Sequence, residues 1–238
     1  MAALLYKVAR LLGSQVASVL VICFNPTKKD IKNTKKNIAF FKSGIIIWNS
    51  KKIFSVNREN FLEIEMEENI GQAKALNIGF EIALKMKIDL VLTLDQDSKL
   101  TNNAKNILQI INFFYNKYQN PAGFTFSSLT NKKNTQINIK NLNPVKYLTP
   151  ITSGSVYLTK VWDEINGFKN ELFIEGVDTE FSIRAKKNNY FFYRFDSPII
   201  IHDAGIKIKK KILIFDFYLR KHKDIRLYLQ YRNNLPNF

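Results

Sequence analysis

Continuous apolar segments alternate with helix-like segments through the first half of the chain, and this alternation constrains the fold more than any other feature. The apolar segments cover residues 16–24, 44–48 and 88–94. The first residues after them are Asn25, Asn49 and Asp95. Helical spacing or polar composition marks the intervening segments 28–41 and 72–87. Uninterrupted apolar strands are typical of parallel sheets that helices cover on both faces. We therefore predict right-handed strand–helix–strand crossovers, with the polar residues at the carboxyl edge, where such sheets bind ligands.

The second half predicts a different architecture. Short apolar pieces separated by Asn, Lys and Thr, up to about residue 143, indicate mixed-sheet strands and irregular loops. Strands are predicted over 150–157 and 191–201, helices over 102–118, 160–164 and 178–188, and a basic, aromatic-rich helix over 207–234. The chain is thus an α/β protein with a mixed second half and a helical tail.

Two carboxylates follow the third apolar strand. Asp95 and Asp97 are separated by one residue, so in an extended segment both side chains point the same way. Carboxylate oxygens suit Mg²⁺ or Mn²⁺, which proteins usually bind through one or two carboxylates and the phosphates of a substrate. Carboxylates also cap helices that follow strands, so the pair alone leaves both interpretations open.

Two further motifs carry candidate site residues. Gly71 opens the segment 71–79 and permits close approach of a ligand, with Lys74 and Asn77 on one side of the following helix. Asp178 stands at the start of a predicted helix, where it is either an N-cap or a functional carboxylate, and Arg184 is spaced to pair with Glu180.

Together these motifs resemble the family-2 glycosyltransferases, especially their bacterial rhamnosyltransferase branch. The matching segments occur in family order from about residue 16 to 233. They are Cys23-Phe24-Asn25-Pro26, residues 69–79, Asp95-Gln96-Asp97, Thr152-Ser153-Gly154-Ser155, residues 173–184, His202-x-x-Gly205 and Tyr228-x-x-Tyr231-Arg232-Asn233. The resemblance implies a GT-A fold, with a Rossmann-like, mostly parallel sheet flanked by helices. It also implies a domain over residues 16–206, with a nucleotide-sugar half (16–100) and an acceptor half (101–206), between an N-terminal helical extension (1–15) and a basic tail (207–238).

The resemblance also implies an activity: inverting transfer of a sugar, with rhamnose as one candidate, from a nucleoside-diphosphate donor to a surface polysaccharide or lipid-linked glycan. It assigns Asp178 as the catalytic base and Asp95, Asp97 and His202 as metal ligands for Mg²⁺ or Mn²⁺. Ser153, Gly154 and Ser155 would line the sugar and acceptor cleft. The donor-binding residues would be Phe24, Asn25, Trp48, Asn49, Gly71, Lys74, Asn77 and Asp95.

One position departs from the family pattern. Trp48 stands where a carboxylate that recognises the nucleotide base is expected. An indole can stack on a base but cannot accept a hydrogen bond from it. Either Asn49 substitutes for the carboxylate, or donor recognition is altered, or the protein is impaired.

The charge balance leaves other partners open. The chain has 36 Lys and Arg residues against 20 Asp and Glu, a net charge of +16, which favours a polyanionic partner. An anionic membrane face suits the basic tail and a peripheral location on the cytoplasmic side. The single cysteine, Cys23, excludes a disulfide within the chain and suits the cytoplasm. The alternatives are a non-catalytic nucleic-acid-binding protein, although no RNA-module signature is present, and a nucleotidyltransferase, although no Gly-rich phosphate loop follows the first strand.

Overall fold

The computed structural model describes residues 17–115, 117–129, 142–201, 207–212, 215–220 and 224–233. Its strands are β1 (Ala17–Cys23), β2 (Gly44–Trp48), β3 (Phe61–Glu65), β4 (Leu90–Asp95), β5 (Lys99–Leu100), β6 (Pro121–Leu129), β7 (Val145–Tyr147), β8 (Ser155–Leu158), β9 (Phe191–Ile201), β10 (Lys207–Ile212) and β11 (Phe215–Arg220). Its helices are α1 (Lys28–Ile38), α2 (Gln72–Lys85), α3 (Ile107–Tyr115), α4 (Thr159–Glu164), α5 (Val177–Lys187) and α6 (Asp224–Asn233), with 3₁₀ turns at Asn102–Asn106 and Asn170–Leu172.

The first half forms the predicted parallel sheet. Strands β3, β2, β1 and β4 lie side by side, and every pair among them is parallel. Strand β2 is buried along its whole length, as expected for a strand covered on both faces. The register sets Cys23 opposite Trp48 and Ile22 opposite Asp95, so the three strands end at one edge. Cys23 is a buried core residue, as its apolar surroundings predict.

The second half continues the same sheet with mixed directions. Strand β8 is antiparallel to β4 and β6, whereas β6 is parallel to β9, and β7 and β5 pair with β9 in antiparallel fashion. Aromatic side chains fill the core beneath this half. Buried Tyr157 contacts four of them edge-on, namely Phe80, Phe168, Phe181 and Phe192. The prediction of a mixed second half is confirmed.

The tail contains a helix, but a shorter one than the composition predicted. The helix α6 covers Asp224–Asn233, whereas residues 207–220 include two antiparallel strands, β10 and β11, with Lys207 opposite Arg220. Strand β11 has apolar residues at every second position, namely Phe215, Phe217 and Leu219, a period that favours strands over helices. The predicted extension at residues 1–15 lies outside the described residues. No helix in the described ranges is long and apolar enough to cross a membrane.

Candidate active site

An acidic cleft opens at the carboxyl edge of β1, β2 and β4. The cleft has a volume of about 280 Å³ and lies where parallel sheets commonly bind ligands. Several polar side chains that line it come from the turns after these strands and from the start of α2. The lining residues are Ile22, Phe24, Asn49, Asn69, Gly71, Gln72, Asp95, Gln96, Asp97, Phe173, Ile174 and Arg226.

Asp95 is fixed in the cleft through its main chain and its carboxylate. It is the last residue of β4, and its N–H donates to Ser153 Oγ at 3.0 Å. Its carboxylate accepts a hydrogen bond from Gln72 Nε2 at 3.3 Å. Asp97 follows in the turn and is exposed, so both predicted metal-binding carboxylates line the same cleft.

Negative charge accumulates around Asp95. Burial, together with the nearby carboxylates of Asp97 and Asp178, raises the pKa of Asp95 to about 7, against the opposing attraction of Arg226. A cation in the cleft would stabilise the ionised form of the Asp95 carboxyl group. The site is therefore electrostatically suited to a divalent ion. Within the described residues, no cluster of three or more His, Cys, Asp or Glu side chains could hold a metal.

Gln96 connects the ends of β1 and β4. The main-chain N–H of Phe24 donates to Gln96 Oε1 at 2.6 Å, and Gln96 Nε2 donates back to the Phe24 carbonyl at 3.0 Å. This pair of hydrogen bonds holds Phe24 at the cleft, where 45% of its surface is exposed. Sequence reasoning assigned no role to Gln96, although its place between two aspartates was a usable signal. Predicted donor residue Asn25 is exposed beside Phe24 but outside the described cleft lining.

Asn49 organises the opposite side of the cleft. Its side chain donates to Asn69 Oδ1 at 2.9 Å and to the Gly71 carbonyl at 3.2 Å, and it accepts from the Ile70 N–H at 2.9 Å. Asn49 is buried by these contacts, so its main effect is to shape the segment before α2.

Gly71 and Phe173 meet closely at the start of α2. Gly71 has φ +84, and a Cβ atom there would lie 2.6 Å from the Phe173 ring. The Phe173 carbonyl accepts hydrogen bonds from Gln72 and Ala73 N–H groups, which would otherwise be unpaired at the helix start. The backbone conformation and the close contact with Phe173 therefore require glycine at position 71, and Phe173 forms part of the cleft wall.

The structure places Trp48, a predicted donor-binding residue, in the core and not among the residues that line the acidic cleft. The side chain is 0% exposed, and its Nε1–H donates to Glu63 Oε2 on the neighbouring strand β3 at 3.1 Å. Its ring packs edge-on against Phe54. The indole points away from the cleft because it satisfies its one donor inside the protein.

Lys74 and Asn77 also lie away from the acidic cleft. They share one side of α2, as predicted, but that side borders a second cavity next to α4. Asn77 accepts from Trp162 Nε1 and from the Phe168 N–H, and it donates to the Phe168 carbonyl. Its hydrogen-bonding capacity is used in holding the loop after α4, and Asn77 does not line the acidic cleft.

The segment formed by Ser153, Gly154 and Ser155 holds strand β4, which carries Asp95. All three lie inside the protein and not on a cleft surface. Ser153 holds the Asp95 main chain, the Gly154 N–H donates to the Thr93 carbonyl at 2.8 Å, and Ser155 Oγ donates to the Ile151 carbonyl at 2.6 Å. Strand β8 consequently begins only at Ser155, later than predicted.

Asp178 lies in the first turn of α5 with both carboxylate oxygens engaged. Oδ2 accepts from the Thr152 N–H at 3.1 Å, and Oδ1 accepts from the Thr179 N–H at 2.8 Å. Gly176, not Asp178, occupies the N-cap position. Burial raises the pKa of Asp178, and these hydrogen bonds offset part of the rise. Its charge also reaches Asp95, which places the two carboxylates in one electrostatic site.

Two ion pairs hold the elements around Asp178. Arg184 pairs with Glu180 at 2.7 Å on α5, as the i,i+4 spacing predicts. On the tail helix α6, Arg226 pairs with Glu175 and also lines the acidic cleft. Sequence analysis assigned Arg226 only to a basic tail. Predicted ligand His202 lies outside the described residues.

Known proteins resemble this chain in sequence and in fold. No family model matches it. A curated protein, the dTDP-rhamnosyl transferase RfbF of Shigella flexneri, is 22% identical over 233 residues, covering 90% of this chain and 77% of that protein. Among solved structures, S. aureus TarS superposes with a TM-score of 0.57 at 16% identity, covering 79% of this chain and 37% of TarS. TarS residues 1–349 in complex with UDP-GlcNAc give a TM-score of 0.58 at 15% identity, covering 78% of this chain and 58% of that one.

These likenesses confirm the predicted GT-A fold and the resemblance to rhamnosyltransferases. This chain spans little more than a third of TarS and less than two thirds of its 1–349 fragment.

Proposed function

We propose that this chain is an inverting glycosyltransferase that moves a sugar from a nucleoside-diphosphate donor to a hydroxyl group of a glycan. The observation that carries the proposal is the acidic cleft itself. Asp95 and Asp97 line one cleft at the carboxyl edge of a parallel sheet, and the charge of Asp178 reaches Asp95. A transferase of this kind needs a site for a diphosphate–metal complex close to a general base, and these three carboxylates supply both.

Asp95 and Asp97 would hold Mg²⁺ or Mn²⁺ together with phosphate oxygens of the donor. Burial, and then repulsion from Asp97 and Asp178, raise the pKa of Asp95, and a bound divalent ion would offset both effects. Two protein carboxylates suffice for such an ion when the substrate supplies further oxygens. A bound ion supplies charge neutralisation for the departing diphosphate.

Asp178 would remove the proton from the attacking hydroxyl. Its raised pKa brings the carboxylate nearer to the range in which general bases work well. The main-chain hydrogen bonds from Thr152 and Thr179 fix its orientation. The hydroxyl groups of the same two residues add longer hydrogen bonds, at 3.4 and 3.5 Å, and an acceptor hydroxyl would replace one of these. A single displacement with one base inverts the anomeric configuration.

The donor and acceptor are proposed from the relatives. RfbF is named as a dTDP-rhamnosyl transferase, and TarS structures hold UDP or UDP-GlcNAc. We propose a pyrimidine nucleotide sugar, with dTDP-rhamnose first, for the half formed by residues 16–100. A surface-polysaccharide or lipid-linked acceptor would use residues 101–206, and the +16 charge supports peripheral attachment to an anionic cytoplasmic membrane face. The nucleic-acid and nucleotidyltransferase alternatives gain no support from the comparisons.

The test separates donor binding from transfer. Thermal shift with Mn²⁺ and a panel that includes dTDP-rhamnose, UDP-GlcNAc and GDP-mannose identifies the donor, and sugar transfer to a membrane-lipid extract is then measured. We expect Asp97→Ala to abolish metal-dependent turnover. Asp178→Asn should lower transfer by about 100-fold or more, the scale of general-base catalysis, while donor binding persists.

The exposed Asp89→Asn serves as the matched control, since it makes the same chemical change outside the cleft. Normal transfer by Asp178→Asn would rule out the base assignment. No thermal shift with any nucleotide sugar would contradict the proposed function.

A further inference from the structure

We propose that Arg226, on the C-terminal helix α6, is a donor-binding residue that exchanges its ion pair with Glu175 for an interaction with the donor diphosphate. This inference rests on the proposed function. It adds a residue from outside the predicted donor half to the site, and it gives the tail helix a role in substrate binding.

The position of Arg226 supports a ligand contact. Its side chain lines the same cleft as Asp95 and Asp97, and 49% of it is exposed. It is the one cationic side chain among the described residues that line this cleft. Its charge also acts on Asp95, which places the guanidinium within electrostatic range of the carboxylate proposed to hold the metal.

The charges of the cleft require such a cation. A nucleoside diphosphate brings two to three negative charges into a cleft that already contains Asp95 and Asp97. One divalent ion leaves this assembly negative, so a further positive group lowers the cost of binding. A guanidinium suits the purpose, because its planar fork can donate two parallel hydrogen bonds to a phosphate.

Contacts at the other end of α6 fix the helix that carries Arg226. Asn233 Nδ2 donates to the Leu172 carbonyl at 2.9 Å, and Arg232 Nη2 donates to the Glu171 carbonyl at 2.6 Å. Gln230 Nε2 donates to Glu175 Oε2 at 3.1 Å. The helix is thus attached to the segment 171–175, which also contains the cleft residue Phe173.

The same contacts make the exchange feasible. Glu175 keeps its hydrogen bond from Gln230 when Arg226 leaves, so its carboxylate is not left without a partner. Arg226 lies at the other end of the helix from Asn233 and remains half exposed. The guanidinium can therefore change partners through rotation of its own side chain, while α6 stays attached.

The experiment measures nucleotide affinity of the full chain by calorimetry, with dTDP, UDP, GDP and ADP as probes in the presence of Mg²⁺. Arg226→Gln is expected to weaken binding by about 10- to 100-fold, the range for loss of charged hydrogen bonds. Arg226→Lys keeps the charge but loses the planar fork, so we expect an intermediate affinity. Glu175→Gln should tighten binding by about 2- to 10-fold, because it weakens the competing ion pair.

Lys85→Gln is the matched control, since it removes one exposed positive charge at the far end of α2. It should leave the affinity within about 2-fold. Unchanged affinity in Arg226→Gln, or weaker binding by Glu175→Gln, would overturn the inference. If the wild-type chain binds neither dTDP, UDP, GDP nor ADP, the proposed function fails instead. Should Arg226→Gln not fold, Arg226→Lys and Glu175→Gln carry the test.

Discussion

Replacing Asp95 by asparagine isolates the cost of keeping a carboxylate in the acidic cleft. Asparagine has nearly the same shape and can still accept the hydrogen bond from Gln72 through its carbonyl oxygen. It carries no charge at any pH. The difference between the two proteins therefore reports the ionisation of this one group, which burial opposes most and repulsion from Asp97 and Asp178 opposes further.

The sign follows from proton linkage. The folded chain raises the pKa of Asp95 to about 7, whereas an unfolded chain has a value of about 3.9. Between these values the folded state binds more protons than the unfolded state. The contribution of Asp95 to the free energy of unfolding is therefore fully present below about pH 4 and is lost as pH rises to about 7. A shift of about three units corresponds to at most about 4 kcal/mol. Because Asp95 is partly exposed and its charge is screened, we expect about 1–3 kcal/mol.

Urea unfolding between pH 5 and pH 8.5 measures the effect, in buffers free of divalent ions and nucleotides. Asp95→Asn should be more stable than the wild type, by an amount that grows with pH and levels off above about pH 7. The exposed Asp89→Asn supplies the control and should show no such growth. The raised pKa of Asp178 lowers the stability of both proteins as pH rises, so only the difference in stability between them is interpreted. A difference that stays constant across this pH range would refute the reasoning.

Two further substitutions test what holds the cleft together. Trp48→Phe removes the hydrogen bond to Glu63 and leaves a smaller buried ring, so we expect the free energy of unfolding to fall by about 2–4 kcal/mol while nucleotide affinity stays unchanged. Weaker nucleotide binding by a folded variant would show that the indole contacts the donor. Asn233→Ala removes the hydrogen bonds donated to the Leu172 and Glu175 carbonyls, so we expect the free energy of unfolding to fall by about 1–3 kcal/mol. The first amides of α2 should also exchange hydrogen faster, as measured by NMR, because Phe173 connects them to this segment. Unchanged exchange at these amides would contradict the link through Phe173.

The sequence determined the sheet and the edge at which its cleft lies. Uninterrupted apolar segments are typical of parallel strands that helices cover on both faces, and here they end at Asn25, Asn49 and Asp95. Parallel direction then brings those ends to one edge whatever the details of packing, which is why Asn49, Asp95 and Asp97 could be assigned to a common cleft from their positions alone.

Tertiary structure decided which side chains reach that cleft. Trp48 ends strand β2 at the carboxyl edge, but its indole is buried in the core, where it donates a hydrogen bond to Glu63 on β3. Asn77 has the spacing of a ligand-binding residue, yet the loop after α4 uses its hydrogen bonds. Arg226 is more than 120 residues from Asp95 in sequence, and only the docking of α6 on segment 171–175 brings it to the acidic cleft. Local periodicity fixes where a strand ends, whereas the partners of a side chain depend on contacts between distant segments, which no local pattern encodes.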